Sequence, residues 1–279
     1  MRPHLSSPLT PAFALTIPAA LLLTVWAAPR SALAQQVVSG SPDITIALDS
    51  GTVVTSDEDV AVDNSTFVLL ENLGALPEAS DVIALGGDAS GDRLFALDIT
   101  SSLPGGIIAS PGDVIRYDGV NYSIEFDASA EGVPAGAQTD AASIAPGGLL
   151  LSFDTTVDLG GIIAADEDLV RWDGAAFTLV FDGSAEGLAD GLDADAGQDL
   201  GGGAFLISFD TSGQIGGINF DDEDVLRFDG SAWTLEFDAS AAHATWAAAD
   251  LDAVMVPEPG FGALVATGAL WLARAGRRR

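Results

Sequence analysis

Asp224-Val225-Leu226-Arg227-Phe228-Asp229-Gly230, followed after two intervening residues by Trp233-Thr234-Leu235-Glu236-Phe237-Asp238, decides the fold. The pattern occurs twice more. One copy is Asp168-Leu169-Val170-Arg171-Trp172-Asp173-Gly174 with Phe177-Thr178-Leu179-Val180-Phe181-Asp182. The other is Asp113-Val114-Ile115-Arg116-Tyr117-Asp118-Gly119 with Tyr122-Ser123-Ile124-Glu125-Phe126-Asp127. Each copy is preceded by an apolar block ending in Asp98, Asp154 or Asp210, 56 residues apart each time. Alternation of apolar and polar residues, with aromatic and branched side chains, reads as strand. Asp173-Gly174 and Asp229-Gly230 read as hairpin turns in which Gly supplies a positive φ. A degraded copy precedes these three: Ile44-Thr45-Ile46-Ala47-Leu48-Asp49, then Asp57-Glu58-Asp59-Val60, then Phe67-Val68-Leu69-Leu70. It lacks the Arg and the Asp-Gly turn, as terminal repeats often do.

A short segment closes each repeat, beginning at Asp81, Asp140, Asp193 and Asp250, and the third is weak as a strand. The expected domain therefore spans 43–256, in repeats of about 43–91, 92–148, 149–203 and 204–256, after a linker at 35–42. Four strands in about 55 residues is the format of a β-propeller blade, so the expected fold is all-β, a four-bladed propeller. A β-solenoid or sandwich is the alternative. The isolated first block at Ile44 and the isolated closing segment at Leu251 could share one blade and fasten a ring, leaving only short protected edges.

The 279 residues carry 41 Asp and Glu against 10 basic residues, all of them Arg, and no Cys. Mean hydropathy is +0.34, with 48% hydrophobic residues, which argues for a packed chain despite the charge. Absence of Cys excludes disulfides, thiolate catalysis and Cys-based metal sites. A polyanion needs a basic face, so nucleic acid is excluded as a partner.

Both ends read as addresses. Residues 1–34 have a positive start, an apolar run and a small-residue cleavage pattern at Ala32 and Ala34, the layout of a signal peptide. At the other end Pro257-Glu258-Pro259 leads into an apolar stretch, then Arg277-Arg278-Arg279. That stretch is shorter than the ~20 residues of a stable transmembrane helix. The terminal arginines would hold it on the cytoplasmic side. This tail, residues 257–279, resembles the PEP-CTERM sorting signal of exported bacterial proteins. The resemblance implies a Gram-negative-type bacterium, processing by an exosortase-type enzyme, and delivery to the cell surface or extracellular matrix, often alongside exopolysaccharide. Membrane contact is then through the tail alone, before processing. Without both ends, residues 35–256 hold four Arg against 40 acidic residues, a formal charge of −36. Such charge favours solubility and cation binding.

Acidic clusters precede the second strand block of the repeats: Asp57-Glu58-Asp59, Asp166-Glu167-Asp168 and Asp221-Asp222-Glu223-Asp224. They carry two readings. Asp is a turn former, bonding its own backbone. Asp57, Asp59, Asp166, Asp168, Asp222 and Asp224 are also oxygen ligands of the type Ca²⁺ takes. No cofactor is called for otherwise. Residues 193–199 look like the start of an EF-hand loop, but Gly197 stands at position 5 and Ala204 at position 12, and the pattern fails. The recurrent Arg116, Arg171 and Arg227 should pair with repeated Asp such as Asp127, Asp182 and Asp238. Trp246, outside the strand pattern, is the surface aromatic to watch for sugar stacking. Catalysis has little footing: one His, His243, stands in residues 35–256, and no Gly-x-Ser-x-Gly elbow occurs. The chain reads as a non-enzymatic structural or adhesive surface protein. A Ca²⁺-dependent glycan-binding module is the alternative, and a glycoside-acting enzyme is less favoured.

Overall fold

A computed structural model describes residues 38–48, 51–63, 68–88, 90–145, 147–189 and 191–256. The signal-peptide residues Ala32 and Ala34 and the sorting-tail residues Pro257, Glu258, Pro259 and Arg277 to Arg279 lie outside the described residues.

The described residues form a four-bladed β-propeller in which every blade is a four-stranded antiparallel sheet. The chain opens with β1 (Val38–Pro42), a short hairpin of β2 (Ile46–Leu48) and β3 (Val53–Thr55), then β4 (Val60–Asp63) and β5 (Val68–Glu71). The second blade has β6 (Val82–Gly87), β7 (Arg93–Leu97), a hairpin of β8 (Ser101–Leu103) and β9 (Ile107–Ala109), β10 (Val114–Tyr117) and β11 (Tyr122–Phe126). The third has β12 (Thr139–Ala145), β13 (Gly148–Phe153), the hairpin β14 (Val157–Asp158) and β15 (Ile163–Ala164), β16 (Leu169–Trp172) and β17 (Phe177–Phe181). The fourth has β18 (Ala196–Gly201), β19 (Ala204–Ser208), the hairpin β20 (Gly213–Ile215) and β21 (Ile218–Phe220), β22 (Val225–Phe228) and β23 (Trp233–Phe237). A short helix α1 (Ala239–Ala242) then leads to β24 (Leu251–Met255).

The last strand completes the first blade, whose order is β24-β1-β4-β5. Both ends of the ring thus meet in one sheet, but the N-terminal member is β1 rather than the Ile44 block. The frame of the repeats differs from the expected one, however. Each closing segment is the innermost strand of the following blade, not the last strand of its own. Strands β6, β12, β18 and β24 pack against one another in turn around the axis. The stretch 35–42, expected to be a linker, contains β1. Residues 46–48, matched above to the first apolar block, instead form the side hairpin with β3. Spacing carried the clue. Asp98, Asp154 and Asp210 precede the next repeated Asp by 14 or 15 residues, whereas Asp49 precedes Asp59 by only 10; Asp43 precedes it by 16.

Blades stick together because both faces of each sheet are apolar. Four hydrophobic clusters fill the ring, one per blade interface, with Phe126 and Phe153 in one and Phe181, Phe205 and Phe209 in another. The inner strands face a different demand. Four blades leave a narrow axis, so β12 runs Thr-Asp-Ala-Ala-Ser-Ile-Ala and β18 starts Ala-Gly. A Cβ on Gly86 would overlap the carbonyl oxygen of Ala142 on the neighbouring inner strand. Since backbone cannot step aside cheaply, Gly86→Ala should destabilise the chain by about 1–3 kcal/mol. Thermal melts would read that as a fall of roughly 2–12 °C. A melting temperature unchanged from the parent would mean the inner strands are not closely apposed there. Hydroxyls add ties between blades: Ser152 donates to the Ala194 carbonyl at 3.1 Å and Ser208 to that of Leu251 at 3.2 Å.

Candidate functional site

The most regular residues in the sequence turn out to fasten the start of each inner strand. Asp98 Oδ1 accepts the Asp81 N–H at 2.7 Å, and Asp154 Oδ1 the Gln138 N–H at 2.8 Å. Asp210 Oδ1 accepts the Asp193 N–H at 3.2 Å, and Asp43 Oδ1 that of Asp250 at 2.8 Å. Asp43, outside the matched repeat, is therefore the fourth member of the series. These bonds align the four inner strands residue by residue. Asp81, Gln138, Asp193 and Asp250 occupy one level; Ile83, Asp140, Asp195 and Asp252 occupy the level two residues further in.

The result is a crowd of carboxylates at one mouth of the axis. One carboxylate oxygen from each of Asp195, Asp250 and Asp252 lies within 4.8 Å of the others. Asp140 is 7% exposed, and its Oδ2 has no hydrogen-bond partner. Buried oxygens of Asp81, Asp193 and Asp195 are in the same state. Loss of hydration, reinforced by the neighbouring carboxylates, raises these groups. Asp250 and Asp252 are pushed up to about 8, and Asp193 to about 7. Burial likewise lifts Asp81 to about 7, with a hydrogen bond to Asp252 opposing the rise. Asp140 and Asp195 are raised well above the ordinary range by burial first and by their acidic neighbours second.

The six acidic-loop candidates divide cleanly. Asp59, Asp168 and Asp224 are turn caps. Asp59 Oδ2 accepts the Ser56 N–H at 3.2 Å. Asp168 accepts from Ala165 at 2.9 Å and Gly183 at 2.8 Å, and Asp224 from Asp221 at 3.0 Å and Ala239 at 3.3 Å. With both oxygens of Asp168 and Asp224 on backbone N–H groups, the turn reading applies to them, and Asp113 behaves alike. Asp57, Asp166 and Asp222 stand instead at the rim of the axial mouth. The Asp57 carbonyl accepts the Val82 N–H, and the Asp166 carbonyl that of Ala194. Their charges bear on Asp81, Asp193 and Asp250 respectively.

Sequence reasoning misses the axial residues Asp140, Asp195, Asp250 and Asp252. A signal is present: Asp193-Ala194-Asp195 and Asp250-Leu251-Asp252 put two acids on one face of a strand. The closing segments stand out only as strands, and a lone Asp at a strand position does not announce a site.

The arginines stand at the other end of the blades. Arg116 is paired with Leu94, Arg171 with Leu150 and Arg227 with Leu206, away from the strand ends where the acids gather. Ion pairing holds for Arg116 and Arg171, but with other partners than expected, and among the described residues Arg227 forms no ion pair. Arg116 binds Asp92 at 2.9 Å and Glu125 at 2.7 Å, and also Asp88. Arg171 bridges to Asp199 of the next blade, and Arg93 to Glu71 of the preceding one. Asp127, Asp182 and Asp238 cap local turns, accepting from Ala130, Ala185 and Ala241. Trp246 is 2% exposed and belongs to the core, so it is no surface platform. His243 Nε2 lies 2.9 Å from Asp63 Oδ2, with little of either side chain exposed.

No known family model and no curated protein sequence matches the chain. Among solved structures it is similar to "YCF48 bound to D1 peptide", at 10% identity and TM-score 0.32, covering 71% of this chain and 54% of that one. The chain thus spans about half the length of that relative. A second similar structure is a protein of unknown function from Bacteroides caccae, at 9% identity and TM-score 0.31, covering 74% of each chain.

The chemistry available at the mouth is that of hard oxygen donors. An array of carboxylates without a facing Arg can take up protons or a hard cation. Among the described residues, no helix is long and apolar enough to cross a membrane.

Proposed function

We propose that this chain is an exported, non-catalytic protein of the cell surface or extracellular matrix that holds polymer through its acidic end. One observation carries the reading: the ring is electrically polarised, with its axial Asp residues at one end and its Arg–carboxylate pairs at the other. A face of that kind meets an anionic or hydroxyl-rich polysaccharide through bridging cations. The sequence supplies the route. Residues 1–34 fit a signal peptide, and residues 257–279 fit a PEP-CTERM-type tail for an exosortase-type enzyme. Contact of this type is weak per chain and gains strength by multivalency.

The test is retention of the full chain on immobilised alginate, a uronate polymer, at fixed ionic strength. Retention is expected in Ca²⁺ and should fall at least ~10-fold in chelator. Retention that is absent in Ca²⁺, or indifferent to chelator, would sink the reading.

A further inference from the structure

We propose that the axial mouth is a site for one Ca²⁺ ion, held by Asp195, Asp250 and Asp252 with Asp140 completing the cradle. This deepens the reading above by naming the ion that the acidic face uses.

Three observations lead there. Geometry is the first: a carboxylate oxygen from each of Asp195, Asp250 and Asp252 falls within 4.8 Å of the other two. Oxygens that close can share one hard cation, and a set of several carboxylates suits Ca²⁺, which takes six to eight oxygens, over Mg²⁺, which keeps several waters and uses one or two carboxylates. The second is Asp140. It occupies the position on its inner strand that Asp195 and Asp252 occupy on theirs. It is 7% exposed, and its Oδ2 receives no hydrogen bond. A buried acceptor left without a donor is costly, and a native fold keeps one only where something else satisfies it. Asp195 Oδ2 repeats the feature.

The third is the composition of everything that faces the mouth. Inner strands and their leading residues contribute Asp81, Asp140, Asp193, Asp195, Asp250 and Asp252. Adjoining strand ends add Asp43, Asp98, Asp154 and Asp210, and loops add Asp57, Asp166 and Asp222. Nothing cationic in the described residues opposes them, since the described arginines lie at the far end of the blades. The donor set is oxygen throughout, with no His or Cys, which suits a hard ion over zinc or copper. Asp140 and Asp252 lie within inner strands, and Asp195 and Asp250 immediately precede them, so the cradle is assembled before the ion arrives. Ile83 fills the fourth equivalent position, leaving the ring of ligands open on the side of the second blade. Ca²⁺ takes six to eight oxygens, so positions remain for water or for a polymer hydroxyl or carboxylate.

The experiment is calorimetric titration of the chelator-stripped full chain with CaCl₂ alone, paired with thermal melts at constant ionic strength. One saturable Ca²⁺ per chain is expected. At about 100 times Kd the melting temperature should rise by roughly 5–10 °C, with MgCl₂ giving a smaller rise and NaCl none. Asp195→Asn and Asp252→Asn should each weaken uptake at least ~10-fold through the lost ligand charge. Both should melt higher than the parent in chelator, because each removes one of a set of crowded charges. A folded variant without uptake is therefore the expected outcome. Exposed Glu186→Gln should change neither quantity. Absence of saturable uptake, equal uptake of Mg²⁺, or undiminished uptake by Asp252→Asn would overturn the site. Saturable Ca²⁺ uptake without retention on alginate would leave the site standing and remove only the polymer-binding reading.

Discussion

In chelator, the chain should lose stability as pH rises from about 5 to 9, the reverse of an ordinary acid-sensitive protein. The axial carboxyls have folded pKa values raised above those of the unfolded chain: about 7 for Asp81 and Asp193, about 8 for Asp250 and Asp252, and well up for Asp140 and Asp195. A raised acid holds its proton more tightly when folded. Its contribution is complete below the unfolded value near 4 and is lost as pH climbs through the folded value. Asp88 has the opposite sign. Partial burial opposes ionisation there, but hydrogen bonds from Ser90 and Arg116 win and hold it near 2. Its contribution is present above pH ~4 and lost only as pH falls towards 2, so the two windows do not overlap. A tenfold change in a carboxyl's proton affinity on folding corresponds to about 1.4 kcal/mol. Protons on a crowded cluster leave in shared steps, and the mouth admits some water, so the net effect is less than a simple sum. A loss of about 2–4 kcal/mol across the window, or roughly 5–15 °C in melting temperature, is expected. Melts in chelator at fixed ionic strength would read it. Saturating Ca²⁺ should flatten the slope, since the ion takes the place of the protons. His243→Gln, which leaves the axial carboxyls intact, is the control. A melting temperature constant from pH 5 to 9 in chelator would mean these carboxyls ionise normally.

Much of the architecture was legible because the blade strands obey local rules. Phe177-Thr178-Leu179-Val180-Phe181 and Trp233-Thr234-Leu235-Glu236-Phe237 alternate as outer strands do, half covered by a neighbour. Gly119, Gly174 and Gly230 take the positive φ, near 90°, that their Asp-Gly turns imply. The inner strands hid themselves for a physical reason. A ring of only four blades has room at its axis for Ala, Ser and Gly, and residues 193–197 therefore carry none of the branched side chains by which strands are recognised. The frame of the repeats slipped for the same reason: an inner strand pairs with the strand that follows it across a tight connection, and sequence periodicity does not say which neighbour it joins.

The site was legible only in part. Asp57, Asp166 and Asp222 stood out by clustering, and they do reach the axial rim. Asp59, Asp168 and Asp224 have the same composition but a different task, each bonding backbone three residues earlier. Clustering cannot separate these roles, since both need a small carboxylate next to a turn. The ligands themselves lie on, or just before, inner strands of three different blades. Only the closure of the ring brings Asp140, Asp195 and Asp252 together, and that closure depends on contacts more than 50 residues apart in sequence.

Ring closure is also where the largest loss of stability should appear. A chain ending at Asp250 should fail to form the native ring, whereas one ending at Val256 should melt close to the full chain. The missing strand β24 pairs with β1 over Ser39 to Pro42 and lines the axis between β6 and β18. It buries Leu251, Ala253, Val254 and Met255, each 5% exposed or less. Full burial of a Leu, Val or Met side chain stabilises by about 1.5–3 kcal/mol. Three of them, with the ladder to β1 and the 2.7 and 2.8 Å bonds between Gln198 and Val256, account for much of the roughly 5–15 kcal/mol of a whole domain. Loss of β24 also uncovers the inner edge of β1 and the apolar flank of Leu206 and Val225, so the shortened chain should aggregate. A synthetic peptide covering residues 251–256 should restore a cooperative melt, because it returns β24 to its place beside β1. Near-UV circular dichroism during thermal unfolding would follow both results. A chain ending at Asp250 that melts within ~5 °C of the chain ending at Val256 would show that the first blade does not depend on its last-made strand.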